Sequence, residues 1–140
     1  MATQYTAGLT TGQVLTAATM NSIGATWETY SPTVSSQTGA LTSWSVGARY
    51  ARIQKIVIVR FQISISDKGT GNGALFMTVP FAADITFGSA CGSFSEWTNV
   101  GFTGTTNLLN DAGKFTLLKY DWTSPIVNGT FSGFAIYEAA

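Results

Sequence analysis

The clearest pattern in the chain is the alternation in KIVIVRFQISIS (residues 55–66). Val57, Val59, Phe61, Ile63 and Ile65 fall on one face of an extended strand, and Arg60, Gln62, Ser64 and Ser66 fall on the other. Ile56 and Ile58 add apolar residues to the second face, so one end of this strand reads as covered on both sides. Elsewhere the apolar runs are short, β-branched or aromatic, and broken by Gly, Asn, Ser and Pro. They predict strands near 27–34, 46–53, 55–66, 74–80, 85–95, 98–103, 105–110, 114–119 and 129–138. Turn signals fall between them at DKGTGNG (67–73), Gly104, NDAG (110–113) and Asn128–Gly129. Many short strands at regular turn spacing predict an all-β sandwich or barrel and argue against a βα fold.

The alternation does not extend to the N-terminus. GLTTGQVLTAATMNSIG (residues 8–24) is patchy, and no charged side chain precedes Glu28. Residues 1–26 therefore read as an arm and 27–140 as the β domain. Within the arm one short helix is expected. Thr16 can cap its free N–H groups, residues 17–21 continue it, and Gly24 supplies a left-handed stop. Leu15 before the cap can pack on Met20 as a hydrophobic staple, and Met20 and Ile23 share a side. A helix of about eight residues is not stable alone in water, so it must dock on its own domain, another subunit or a larger assembly.

Composition narrows the function classes. At 140 residues the chain is one domain's worth. Seven basic and seven acidic residues cancel, which disfavours nucleic acid as the main partner. Only 10% of residues are charged, against about 25% in a typical soluble domain. A surface so poor in charge predicts burial against other subunits. The N-terminus lacks the pattern of a secretory signal, and no apolar run reaches the roughly 18 residues of a membrane span.

Catalytic chemistry finds few candidates. The chain has no histidine, which removes Ser-His-Asp and Cys-His arrangements. There is no HExxH, CxxC or Walker-type loop, and GTGNG (69–73) reads as a hairpin turn. The single cysteine, Cys91, reads as a small buried hydrophobe. Carboxylate pairs for glycoside hydrolysis stay formally open among the seven acids. The expectation is a protein without enzymatic activity, metal or cofactor. NGT at 128–130 fits a glycosylation sequon but is taken as a turn.

Two constellations remain as binding candidates. Trp44, Trp97 and Trp122 stand in the loop-like contexts SWS, SEWTN and DWTSP, suited to stacking on sugar rings or to subunit contacts. Arg49, Arg52, Lys55, Arg60 and Lys68 lie within twenty residues. They form either the solvated face of two neighbouring strands or a basic stripe for an acidic partner or glycan.

Several segments, taken in order, carry a resemblance. GQVLTAATMNSIGATWETYSPTV is similar to the start of small fibre-like virion proteins of tailed bacteriophages, where an LTAAxMN segment precedes a Trp and a Y-x-P-x-V/L strand. GARYARIQKIVIVRFQISI, LFMTVPFAA and the closing FSGFAIYEAA resemble later elements of the same proteins, with Lys55 where many of them have Gly. The resemblance implies a jelly-roll-like antiparallel β-sandwich, usually a homotrimer, at the virion surface. A chain too short to build a shaft is expected to be a capsid cement or decoration protein, or a short head fibre. The arm would be its anchor on the major capsid protein or another virion protein, through Leu9, Val14, Leu15, Met20 and Ile23. The alternative expectation is a tail-fibre-type tip that binds a receptor or host-surface glycan through Trp44, Trp97, Trp122, Arg49 and Arg52.

Overall fold

A computed structural model describes residues 26–86, 90–109 and 111–140. The arm and its expected helix fall in residues 1–25, outside the described residues. Nine strands follow: β1 (Glu28–Tyr30), β2 (Val34–Thr38), β3 (Ser43–Ile53), β4 (Ile56–Asp67), β5 (Asn72–Thr78), β6 (Ala90–Glu96), β7 (Phe102–Asn107), β8 (Lys114–Lys119) and β9 (Gly129–Glu138). There is no helix among the described residues. The expected β8 and β9 spans match residue for residue, and the long alternating strand starts one residue late at Ile56. Two spans expected at 98–103 and 105–110 are one strand, β7, because Gly104 continues it in place of turning it. β2 was missed: VSSQT has one apolar residue, and its pairing with β5 is what makes it a strand.

All nine strands are antiparallel and join one sheet in the order β1-β3-β4-β9-β6-β7-β8-β5-β2. The all-β antiparallel expectation holds. The hydrogen bonding makes a single curled sheet, and does not divide the strands into the two separate sheets of a sandwich. The chain itself forces the curl. The two edge strands, β1 and β2, are consecutive and linked only by Ser31, Pro32 and Thr33. Four residue steps span at most about 14 Å, so the edges must approach one another. On the β2 side, Thr78 N–H donates to the Thr33 carbonyl at 3.1 Å and Thr33 N–H to Thr78 Oγ1 at 2.9 Å.

Curling puts one face of every strand into a common core. Val57, Val59, Phe61, Ile63 and Ile65 of β4 are buried there, as the alternation predicts. Phe131, Ala135 and Tyr137 of β9, Phe94 of β6 and Phe115 and Leu117 of β8 join them. Phe115 and Tyr137 meet edge to face at 5.5 Å although two strands lie between β8 and β9 in the sheet, so the core is filled across the curl. Each fully buried aliphatic or aromatic side chain contributes about 1.5–3 kcal/mol. Gly133 faces inward, where a Cβ would stand 2.5 Å from Phe61 Cζ and 2.7 Å from Phe94 Cβ. The bare backbone is what lets those two rings pack against β9.

Candidate binding face

The register sorts the outward side chains of β1, β3, β4 and β9 into rows. Ile53 lies opposite Ile56, and Ala51, Ile58 and Ile136 form the next row. Thr29, Arg49, Arg60 and Phe134 follow, then Gly47, Gln62 and Ser132, then Ser45, Ser64 and Thr130. Glu138 of β9 stands beside Ile56, so the outer face grades from isoleucines bordered by the Lys55–Glu138 pair, through a basic row, to amide and hydroxyl groups at the other end. Ile53, Ile56, Phe134 and Ile136 are each about half exposed, at 45%, 53%, 47% and 48%. Four large apolar side chains on three adjacent strands form an exposed patch of the kind that interaction sites use.

Arg49 and Arg60 are directly opposite one another across the β3–β4 pair, and both are exposed. Like charges at directly opposed positions are destabilising. Neither guanidinium forms an ion pair among the described residues, where the salt bridges are Lys55–Glu138 at 3.7 Å and Lys114–Asp111 at 3.1 Å. Arg49 is 5.6 Å from the ring centroid of Trp27, within reach of a cation–π contact. Beside the pair an open groove of about 680 Å³ is lined by Thr29, Gly47, Gln62, Ser132 and Phe134 together with the two arginines. A Cβ on Gly47 would meet nothing within 4 Å, so the missing side chain is what leaves the floor open.

The expected basic stripe is not one surface. Arg52 has the opposite parity from Arg49 and turns to the other face, where it lies 4.5 Å from the Phe81 centroid and donates to the Gln54 carbonyl at 2.6 Å. Its role there is to hold the β3–β4 turn, in which Gln54 has a left-handed φ of 54°. Lys55 pairs with Glu138, and Lys68 lies in the β4–β5 turn at the far end of the sheet.

The three candidate tryptophans lie at that far end. Trp44 is in β3 and not in a loop, one residue past a bulge at Ser43, and is 36% exposed. Trp97 follows β6, is 61% exposed, and its indole N–H donates to Ser132 Oγ at 3.3 Å. Trp122 is equally exposed and has a φ of 62° at the tip of a turn. Asp121 fixes that turn by accepting from the Thr123 N–H at 3.1 Å and its hydroxyl at 2.6 Å.

The same end holds a charged residue that sequence reading did not single out. Glu96 is 2% exposed, yet its carboxylate accepts five hydrogen bonds. The donors are the N–H groups of Thr98, Asn99, Val100 and Gly101 and the Thr98 hydroxyl, at 2.8–2.9 Å. Burial alone would push this carboxyl up, but the N–H groups of Gly101, Val100 and Thr98 and the Thr98 hydroxyl outweigh it and hold the pKa at about 2. Every listener to that charge is within the β6–β7 loop, so Glu96 builds the loop and offers nothing to a ligand.

Cys91 is half-buried, and its thiol donates to the Thr106 carbonyl at 3.2 Å. Burial pushes its pKa up to about 12, which leaves no thiolate for nucleophilic chemistry at neutral pH. No cluster of three metal-ligating side chains occurs among the described residues. No helix there is long and apolar enough to cross a membrane.

The features sequence reading missed have one signature in common. In TFSGFAIYE the inward residues Phe131, Ala135 and Tyr137 alternate with Phe134 and Ile136 outside, so β9 is apolar on both faces. Arg60 was visible as the charge in the middle of the alternating strand, but its partner across the sheet depends on register. No family model, no curated protein and no solved structure matches this chain.

Proposed function

We propose that the protein is a structural component of a tailed-phage virion, a capsid cement or decoration protein or a short head fibre at the virion surface. It acts as a homo-oligomer, with three subunits the expected number. The observation that carries the assembly half of this reading is the exposed apolar patch of Ile53, Ile56 and Ile136 at one end of the outer face. Low overall charge supports it, because few charges need to be desolvated when such a face is covered. The phage half rests on the ordered resemblance of the N-terminal, central and C-terminal segments. In the finer reading of the fold, the curled sheet is a jelly-roll-like sandwich whose opposed halves share one core.

The arm, residues 1–26, attaches the oligomer to a capsid or other virion protein through Leu9, Val14, Leu15, Met20 and Ile23. Three arms on one oligomer raise a modest single-arm affinity by avidity. Co-sedimentation with phage heads stripped of the protein tests this. Full-length protein is expected to rebind and protein lacking residues 1–26 to stay in the supernatant; equal binding by both would refute the anchor.

One observation favours a second reading, a receptor- or glycan-binding tip. Trp122 is held in a left-handed conformation that costs an L-residue about 1–2 kcal/mol, and the turn presents its indole to solvent. Changing Trp97 and Trp122 to Ala and measuring binding to host cells checks it: unchanged binding would remove this reading.

A further inference from the structure

We propose that the outer-face groove is a binding site for a carboxylate-bearing sugar unit, held by Arg49 and Arg60. The proposal does not rest on self-assembly through the apolar end of the face.

Neither arginine has an acidic side chain within ion-pair distance. All seven acidic side chains belong to the described residues, and each is engaged elsewhere. Glu28 accepts from the Tyr50 hydroxyl at 2.6 Å, Glu96 holds its own loop, and Glu138 and Asp111 pair with Lys55 and Lys114. Asp67, Asp84 and Asp121 accept from the N–H groups two residues on, of Gly69, Thr86 and Thr123. Residues 1–25 contain no acid at all. Two opposed guanidinium groups are therefore retained at a cost in stability, and the charge that would offset it comes from another molecule.

The groove beside them selects the kind of molecule. A guanidinium donates two parallel N–H bonds to a planar carboxylate, and two of them side by side clamp one or a neighbouring pair of such groups. Gln62 and Ser132 next to them offer an amide and a hydroxyl, which match sugar hydroxyls. Phe134 and Trp27 flank the arginine row with exposed rings suited to the C–H face of a pyranose. The open floor at Gly47 and the volume of about 680 Å³ leave room for a sugar unit or two. An acidic peptide would meet the same two arginines, so it is the comparison that separates recognition of the sugar from recognition of charge alone.

The test is calorimetric titration of the full-length protein with oligogalacturonate, a hyaluronan tetrasaccharide and sialyllactose. Their neutral counterparts and a peptide of alternating Asp and Glu serve as comparisons. At least one of the three anionic sugars is expected to bind, and its neutral counterpart to bind about tenfold more weakly or not at all. The R49Q/R60Q variant is expected to lose about tenfold or more in affinity while melting no lower than wild type. Gly47→Phe keeps both charges and is expected to lose binding by filling the groove. Failure of all three anionic sugars at millimolar concentration would overturn the proposal. So would equal binding of the neutral sugars, binding of the peptide alone, or wild-type affinity in R49Q/R60Q.

Discussion

Glu96 on β6 and Arg60 on β4 stand on the two strands that flank β9, Arg49 lies one strand further out on β3, and the acid and the two bases meet solvent in opposite ways. Glu96 points into the curl, is 2% exposed, and has a donor for each of five hydrogen bonds. The arginines point outward, face each other across β3 and β4, and have no acidic side chain within ion-pair distance. The buried charge is the fully satisfied one, because an unsatisfied charge there would cost several kcal/mol. The exposed charges are tolerated unsatisfied because water screens them. A charge whose partners all lie in its own loop is architecture. A pair of opposed charges with no acid in reach is where the proposed ligand would supply the missing charge.

The largest effect should come from breaking the satisfied side of this comparison. Glu96→Ala leaves four backbone donors and a hydroxyl without their acceptor, and is expected to cost about 3 kcal/mol or more in urea denaturation. Glu96→Gln should cost about 2 kcal/mol, since its amide nitrogen faces groups that themselves donate. The pH dependence follows from the lowered pKa. The carboxylate is favoured in the folded state, so its stabilisation is fully present above about 4.5, the ordinary glutamate value, and is lost as pH falls toward about 2. Wild type should lose stability steeply across that window, and Glu96→Gln should lose less. Equal slopes for the two proteins would show that Glu96 is not the acid-sensitive group.

The glycines sharpen the contrast at the next level. Gly133→Val drives a side chain into Phe61 and Phe94, and overpacking of that kind is expected to cost about 2 kcal/mol. Gly47→Val, on the outer face, meets nothing and should change stability by less than about 0.5 kcal/mol. Thermal melts of the two variants compare the inner and outer faces directly, and similar losses would mean that the outer face is packed against something within the chain. The smallest effect has the opposite sign. Arg60→Gln removes a like-charge pair and should stabilise the unliganded protein by about 0.5 kcal/mol at low salt, with the gain fading as salt is added.

The inner half of this molecule was largely legible in its residues, and the outer half was not. Alternation in 57–65 names the core face of β4 because one side chain in two must be apolar there, and β8 and β9 follow from the turn residues that bound them. β2 was illegible because VSSQT is a strand only through its partner β5. The functional candidates suffered from the same dependence on register. Arg49 was identified and Arg52 was grouped with it by proximity in sequence, yet a separation of three residues sends them to opposite faces of a strand. Arg60, eleven residues from Arg49, is its true neighbour because the β3–β4 hairpin turns at Gln54 and Lys55. Trp97 and Trp122 lie beside turns, as their contexts suggest, whereas Trp44 lies in β3 opposite Ile65 of β4, a pairing that its serine neighbours do not reveal.

The claim that most depends on the outer face is self-assembly through its apolar end. Multi-angle light scattering of the full-length protein, beside the I56E/I136E variant, tests it most directly. Both substituted positions are about half exposed, so the variant is expected to fold. The wild type should have a mass that is a multiple of the single chain, three being the expected number, and the variant should run as a monomer. A monomeric wild type, or a variant with the wild-type mass, would contradict the account.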